Sequence, residues 1–257
     1  MIEKLAFNKK SFLLNEFDNL YSSLFDELDS YIEIVRAIAT RKYRIAQEDL
    51  FNKIKNLSKG GTIVKKSKEL EDTGFIISFK PFQHQKKRIY YKLIDEYSLF
   101  YFSWIEPIKE SLLTKSLQKG YWQKIQQTPT WYNWAGYAFE SICYKHLSQI
   151  SEALSMSPTA IPYGWKYSPT KGLKENGAQI DLLFDRDDDA ITLCEIKYTE
   201  QPFVIDKSYM QNLNQKKDVF TRVTRTNKLF KEILLSIILL FSEIFLTYQY
   251  AKSIVHL

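Results

Sequence analysis

Gly177-Ala-Gln-Ile-Asp-Leu-Leu-Phe-Asp-Arg186 and Ala190-Ile-Thr-Leu-Cys-Glu-Ile-Lys197, joined by Asp187-Asp-Asp189, hold the most informative polar residues of the chain. Ile180, Leu182 and Phe184 alternate with Asp181, which is the spacing of a strand. Ile191, Leu193, Glu195 and Lys197 share one face of a second strand, because side chains repeat every two residues. Asp185 to Asp189 forms the turn between them. Such a hairpin brings Asp181 and Glu195 together at one edge of a sheet, with Lys197 beside Glu195.

Two carboxylates and an amine at one point suit the hydrolysis of a phosphodiester. That reaction needs neutralised charge on the phosphorane, an activated water and a stabilised leaving oxygen. Magnesium, or manganese in its place, meets most of these needs and takes oxygen ligands while keeping waters. On this reading Asp181 and Glu195 are metal ligands and the Ile196 carbonyl is a third. Lys197 holds the attacking water or stabilises the pentavalent phosphate, and Glu140 binds a second metal or a water. The bland alternative is an ion-pair ladder on an exposed sheet edge.

Composition sets the frame for this site. At 257 residues the chain is long enough for two domains. Apolar content of 45% and charged content of 26% are those of an ordinary globular protein. Two cysteines, Cys143 and Cys194, without a Cys-x-x-Cys pair, and three histidines exclude a disulfide framework and a zinc ribbon. A reducing cytoplasm fits this usage, and Met1 to Lys10 lacks the apolar core of a signal peptide. Ile233 to Phe241 is apolar but bracketed by Lys231, Glu232 and Glu243. It is shorter than the roughly 20 residues a span requires, so it reads as a buried helix or strand and no membrane contact is expected.

The formal charge of +6 is concentrated, because residues 51–100 hold eleven Lys and Arg against five Asp and Glu. A basic patch of this kind suits a phosphate backbone. Apolar spacing from Leu20 through Leu24, Leu28, Tyr31, Ile34 and Ile38 predicts a helix from Asn19 to about Thr40, and a second helix follows from Gln47 to Leu57. Thr62 is the expected cap of a third, Ile63 to Glu71, which Thr73-Gly74 ends. Phe75 to Lys80 and Arg88 to Leu93 read as two β runs.

Three helices and a hairpin are the order of a winged helix, whose third helix lies in the major groove. That places Thr62, Lys65, Lys66 and Lys68 at DNA and Lys86, Lys87 and Arg88 on the wing. Winged helices also dock proteins, and the third helix lacks the Asn, Gln and Arg that read bases most strongly. A protein partner or a homo-oligomer is left open.

Tyr97 to Leu117 is an aromatic helical linker with a kink at Pro107. Its aromatic stripe reads as core rather than ligand platform. Trp131 to Leu147 is a helix with Glu140 at the border of its apolar face. Pro158 to Ser168 reads as a strand, Thr170 to Asn176 as a loop, and Asp206 to Phe220 as a helix with Lys207, Gln211 and Gln215 on one face. The resulting fold class is α+β/α/β, a winged helix-turn-helix domain followed by a mixed-sheet α/β domain. The expected boundaries are 1–17 for the remnant of a preceding module, 18–96 for the winged helix, 97–128 for the linker and 129–257 for the α/β domain.

Asp181 followed fourteen residues later by Glu195-Ile196-Lys197 resembles the PD-(D/E)xK nuclease superfamily, and Glu140 matches the acidic residue that many members carry on the preceding helix. This resemblance implies a restriction-endonuclease-like fold and an endodeoxyribonuclease activity. A longer resemblance runs through Lys59-Gly-Gly-Thr, Asp72-Thr-Gly-Phe-Ile, Tyr91-Lys-Leu-Ile-Asp-Glu-Tyr, Trp134-Ala-Gly-Tyr-Ala-Phe-Glu, Gly177 to Arg186 and Leu193-Cys-Glu-Ile-Lys-Tyr. These blocks look like the C-terminal half of bacterial and archaeal AAA-type ATP-binding proteins, where a P-loop module precedes a winged helix and a nuclease-like domain. No Gly-x-x-x-x-Gly-Lys-Ser/Thr occurs in the chain, so ATP binding by that route is not expected. Residues 1–17 then read as the end of the missing module, and the apolar segment after Thr226 departs from the family.

Overall fold

The structure, a computed structural model, describes residues 2–41, 44–54, 56–57, 60–83, 89–114, 117, 119–170, 175–199, 201–238 and 249–250. It is a mixed α+β arrangement with one sheet of three strands and one of five. The chain divides into two units, Met1–Ser78 with Ile89–Lys145, and Phe79–Arg88 with His146–Leu257.

The first unit is built on aromatic packing. Its elements are α1 (Ile2–Ala6), α2 (Phe12–Leu24), α3 (Leu28–Ala39), β1 (Ile45–Ala46), α4 (Gln47–Lys53), α5 (Gly61–Asp72), β2 (Ile76–Phe79) and β3 (Tyr90–Leu93). They are followed by α6 (Glu96–Phe100), a π-helical turn (Tyr101–Ile105), a 3-10 turn (Glu106–Ile108), α7 (Lys109–Thr114), α8 (Tyr121–Gln126) and α9 (Pro129–Lys145). The sheet order is β1-β3-β2, and β1 runs antiparallel to β3 with Ile45 opposite Tyr91. Phe17 stacks on Tyr101 with ring centroids 3.8 Å apart and 6° between planes. The buried hydroxyls of Tyr21 and Ser98 share a hydrogen bond of 2.9 Å. These contacts join α2 to the 96–105 segment, a favourable mode of aromatic burial.

The helix expected over 19–40 is two helices. Phe25 turns extended at φ −137° and stacks on Tyr31 at 4.0 Å, whereas Leu24, the residue in helical register, is left exposed. Burying the larger aromatic ring outweighs continuing the helix. Thr62 is not the cap of α5, because Gly60 holds that position at φ 102°, a conformation that side chains disfavour. Residues 2–17, expected as the remnant of a preceding module, bury Ala6, Phe7, Leu14 and Phe17. The 97–128 segment lies inside the first unit, and the boundary between units falls after Lys145. Pro107 does interrupt the helix. It has no N–H to donate to the Ser103 carbonyl, and the α-ladder gives way to π and 3-10 turns around it.

The second unit contains α10 (Leu147–Ala153), β4 (Ile161–Tyr167), β5 (Ala178–Asp185), β6 (Ala190–Thr199), α11 (Lys207–Thr224), β7 (Leu229–Ile238) and β8 (Gln249–Tyr250). Strand order is β4-β5-β6-β7-β8. β5 pairs antiparallel with β4 and β6, and β7 pairs parallel with β6. The expected hairpin is therefore present, but its strands are interior. Residues 182–184 and 191–196 are buried without alternation, as expected of strands covered on both faces. The apolar stretch from 233 begins within β7, and its continuation from 239 to 248 lies outside the described residues. Thr170 to Asn176 also falls partly outside them.

Asp206 caps α11 by accepting the Tyr209 backbone N–H at 2.7 Å. The C-terminal part of α11 buries Val219 and Phe220 in a cluster with Trp165, Ile180, Leu183, Ile191 and Leu193. Phe82, from the connection between β2 and β3, belongs to the same cluster, with its ring 5.3 Å from that of Phe220. Phe82 thus lies between the two expected β runs and yet belongs to the second unit's core. Phe82→Ala should lower stability by about 3–5 kcal/mol, the usual cost of an emptied aromatic site. Urea unfolding checks this, and a loss below about 1 kcal/mol would show that the residue is not held as described.

Candidate functional site

The face of β6 that carries Ile191, Leu193, Glu195 and Lys197 changes character halfway along. Ile191 and Leu193 belong to the apolar cluster under the C-terminal half of α11. Glu195 and Lys197 extend the same face toward the N-terminal half of that helix, where they meet Tyr209 and Lys216. Glu195 is only 6% exposed, and it is flanked by β5 and β7. An ion-pair ladder on an exposed sheet edge therefore does not describe it.

Asp181 reaches Glu195 because β5 and β6 separate there. Their ladder runs from Asp185 opposite Ile191 to Leu182 opposite Cys194 and stops, while β5 continues beside β4 to Ala178. Beyond the last pair, the Asp181 carboxylate takes the place of a strand partner and accepts the Ile196 N–H at 3.3 Å. Gln179 approaches its other oxygen at 3.4 Å. This opening places Asp181, Glu195 and the Ile196 backbone together.

Three groups approach the Glu195 carboxylate. Lys216 Nζ lies 2.6 Å from one carboxylate oxygen and 2.8 Å from the other. Lys197 Nζ is 3.7 Å away, and the Tyr209 hydroxyl is at 3.5 Å. Burial raises the Glu195 pKa above the ordinary carboxylate range, and the neighbouring Asp181 charge adds to the rise, while Lys216 and Lys197 oppose it. The Tyr209 phenol is pushed up by burial and then by the Glu195 and Asp181 charges. It therefore stays protonated and can donate. The two carboxylates offer oxygen donors of the kind magnesium accepts alongside waters. Among the described residues no group of three His, Cys, Asp or Glu converges on a point suited to a metal, so a cation here would rely on water or substrate for the rest of its shell.

Sequence reasoning missed Lys216 and Tyr209. The Lys207, Gln211 and Gln215 face that it singled out is exposed. The available signal was the stripe Tyr209, Leu213, Lys216, Phe220, spaced four, three and four, which places a lysine on the inward face. Glu140, the fourth expected member, lies in the first unit. It is 7% exposed and pairs with buried Lys92 at 3.0 Å.

The expected DNA-contacting residues are also divided. Lys65 and Lys68 are exposed on α5, where Lys65 lies 3.8 Å from Glu69 and Lys68 lies 2.8 Å from Asp72. Thr62 is exposed in the first turn of the helix. Lys66 does not join that face. It is 7% exposed, bonded to Glu27 at 2.7 Å and placed 4.1 Å from the centre of the Tyr31 ring, so it acts as a structural cation. Lys86, Lys87 and Arg88 lie outside the described residues. Cavities of about 280 and 430 Å³ are lined by other residues. No helix among the described residues is long and apolar enough to cross a membrane.

Residues 101–219 match the model of the family DUF234, described as archaeal and bacterial proteins of unknown function. The matched region includes Asp181, Glu195, Lys197 and Lys216. No curated protein and no solved structure matches the chain.

The shifted Glu195 carboxyl has a consequence for stability. A carboxyl whose folded pKa lies above its unfolded value, about 4.3 for glutamate, costs stability as pH rises from the unfolded to the folded value. Lys216 limits that cost. Lys216→Ala should therefore widen the window and destabilise the protein more at pH 8, above the unfolded value, than at pH 4, below it. Thermal unfolding at the two pH values checks this, and an equal deficit at both would contradict it.

Proposed function

We propose that the second unit is a magnesium-dependent phosphodiesterase of the PD-(D/E)xK type, with a restriction-endonuclease-like fold, that acts on DNA. The observation that carries this reading is the meeting of Asp181, Glu195 and the Ile196 backbone where the β5–β6 ladder ends, with Lys197 3.7 Å from Glu195. The β6-α11-β7 crossover beside an antiparallel hairpin supports the fold assignment. In the first unit, the order α3, β1, α4, α5, β2, β3 with sheet order β1-β3-β2 supports a winged helix. The resemblance to the C-terminal half of AAA-type ATP-binding proteins agrees with both.

In this reading Asp181 and Glu195 would hold magnesium or manganese, with the Ile196 carbonyl as a third donor. Bound there, such a cation would supply charge neutralisation for the phosphate and a more acidic water. Lys197 positions that water or stabilises the pentavalent phosphorus. Tyr209, kept as a phenol, orients Glu195 by donating to it. Lys65 and Lys68, with Lys86, Lys87 and Arg88, supply phosphate contacts that position DNA without reading its sequence.

Plasmid cleavage in magnesium should be lost in Asp181→Ala, Glu195→Ala and Lys197→Ala, with each folded by circular dichroism. Cleavage that survives in the Glu195 and Lys197 variants would remove the catalytic assignment. DNA affinity should fall as salt rises, because phosphate contacts release counterions; affinity independent of salt would exclude them. A second reading, a non-catalytic binding or regulatory module with a nuclease-like scaffold, draws on the satisfaction of both Glu195 oxygens by Lys216. It prevails if the wild-type protein binds DNA and never cuts it.

A further inference from the structure

We propose that Lys216 is the resident counter-ion of the Asp181 and Glu195 pair, and that a divalent cation enters only by displacing it. The inference rests on the reading of these carboxylates as metal ligands. Lys216 Nζ sits astride Glu195, 2.6 and 2.8 Å from its two oxygens. Lys197 and Tyr209 both approach the second of these oxygens, at 3.7 and 3.5 Å. The carboxylate is thus fully engaged by cation and donors.

The lysine is delivered by an anchored helix. The Asp206 cap fixes the start of α11, and Val219 and Phe220 fix its later turns in the core. Between them Lys216 stands on the inward stripe with its side chain only 23% exposed. A lysine so placed is costly unless paired, and Glu195 is the partner that makes it tolerable.

Charge makes occupation by both cations unfavourable. Magnesium binds oxygen at about 2.0–2.1 Å. Placed on the oxygen that Lys216 already holds at 2.6 Å, it would lie less than about 5 Å from the ammonium, close enough for strong repulsion at a buried site. The four-carbon lysine stem is flexible and can move its charge outward. Lys216 therefore keeps the metal-free pair neutralised and weakens metal binding, whereas Lys197, farther from Glu195, remains in place for the phosphate.

Titration of the full-length protein with manganese, followed by calorimetry and by the paramagnetic signal of free Mn2+, tests this directly. Lys216→Met retains the bulk without the charge and should bind manganese about tenfold more tightly, the effect of removing one charge-assisted contact from the competing pair. Lys216→Arg keeps the charge and should stay within about twofold of wild type by the same reasoning. Asp181→Ala should abolish binding in either background. Should Lys216→Met fail to fold by circular dichroism, Lys216→Gln carries the same comparison. If wild type binds manganese and Asp181→Ala does not, yet removing the Lys216 charge leaves affinity unchanged or weaker, the displacement proposal is overturned while the metal site stands. If neither wild type nor the charge-removing variant binds manganese, the carboxylates are not ligands and both readings fall.

Discussion

A carboxylate taken out of water must be neutralised, protonated or ligated, and Glu195 meets that condition inside a five-stranded sheet. The elements around it follow from this need. β5 parts from β6 at Asp181, so the ladder is replaced there by a carboxylate on the Ile196 N–H. α11 crosses back from β6 to the parallel β7 with Tyr209 and Lys216 turned toward the acid. Apolar packing of Phe220, Trp165 and Phe82 at the other end of the helix holds it in register. Hydrophobic burial sets the position of the helix, and electrostatics determines which residues its inner face can carry near Glu195.

Buried ion pairs contribute little net stability and are strongly destabilising when only one partner is removed. Among the described residues two carboxylates, Glu140 and Glu195, are buried in this way. In the first unit Lys92 and Glu140 are both buried and paired, and they satisfy each other's charge. In the second, Glu195 faces two lysines and a second carboxylate, Asp181, lies close by. The second arrangement has more charge than simple pairing requires, and perturbed carboxylates of this kind mark candidate sites. The same contrast separates the lysines of α5. Lys66 is absorbed by Glu27 and Tyr31, whereas Lys65 and Lys68 remain exposed beside acidic neighbours.

The hairpin was legible in the sequence because Asp181 interrupts an apolar strand and Glu195 and Lys197 stand two residues apart. That its strands are interior was not, because one sequence does not show which strands flank them; β7 comes from a segment readable only as apolar. The break at Phe25 was hidden because Leu24 and Leu28 keep helical spacing while the larger ring takes the buried position. The burial of Phe82 is not legible from its polar surroundings, since it depends on partners far along the chain. Lys216 was passed over because charged residues on helices are usually solvated, and only its place between Leu213 and Phe220 distinguishes it.

The most direct test of the account is a crystal of the full-length protein soaked in manganese, read by anomalous scattering at the metal edge. A peak at the carboxylates of Asp181 and Glu195 is expected, with the Lys216 ammonium moved off Glu195. Saturating manganese with no peak between those residues, and Lys216 still astride Glu195, would contradict it.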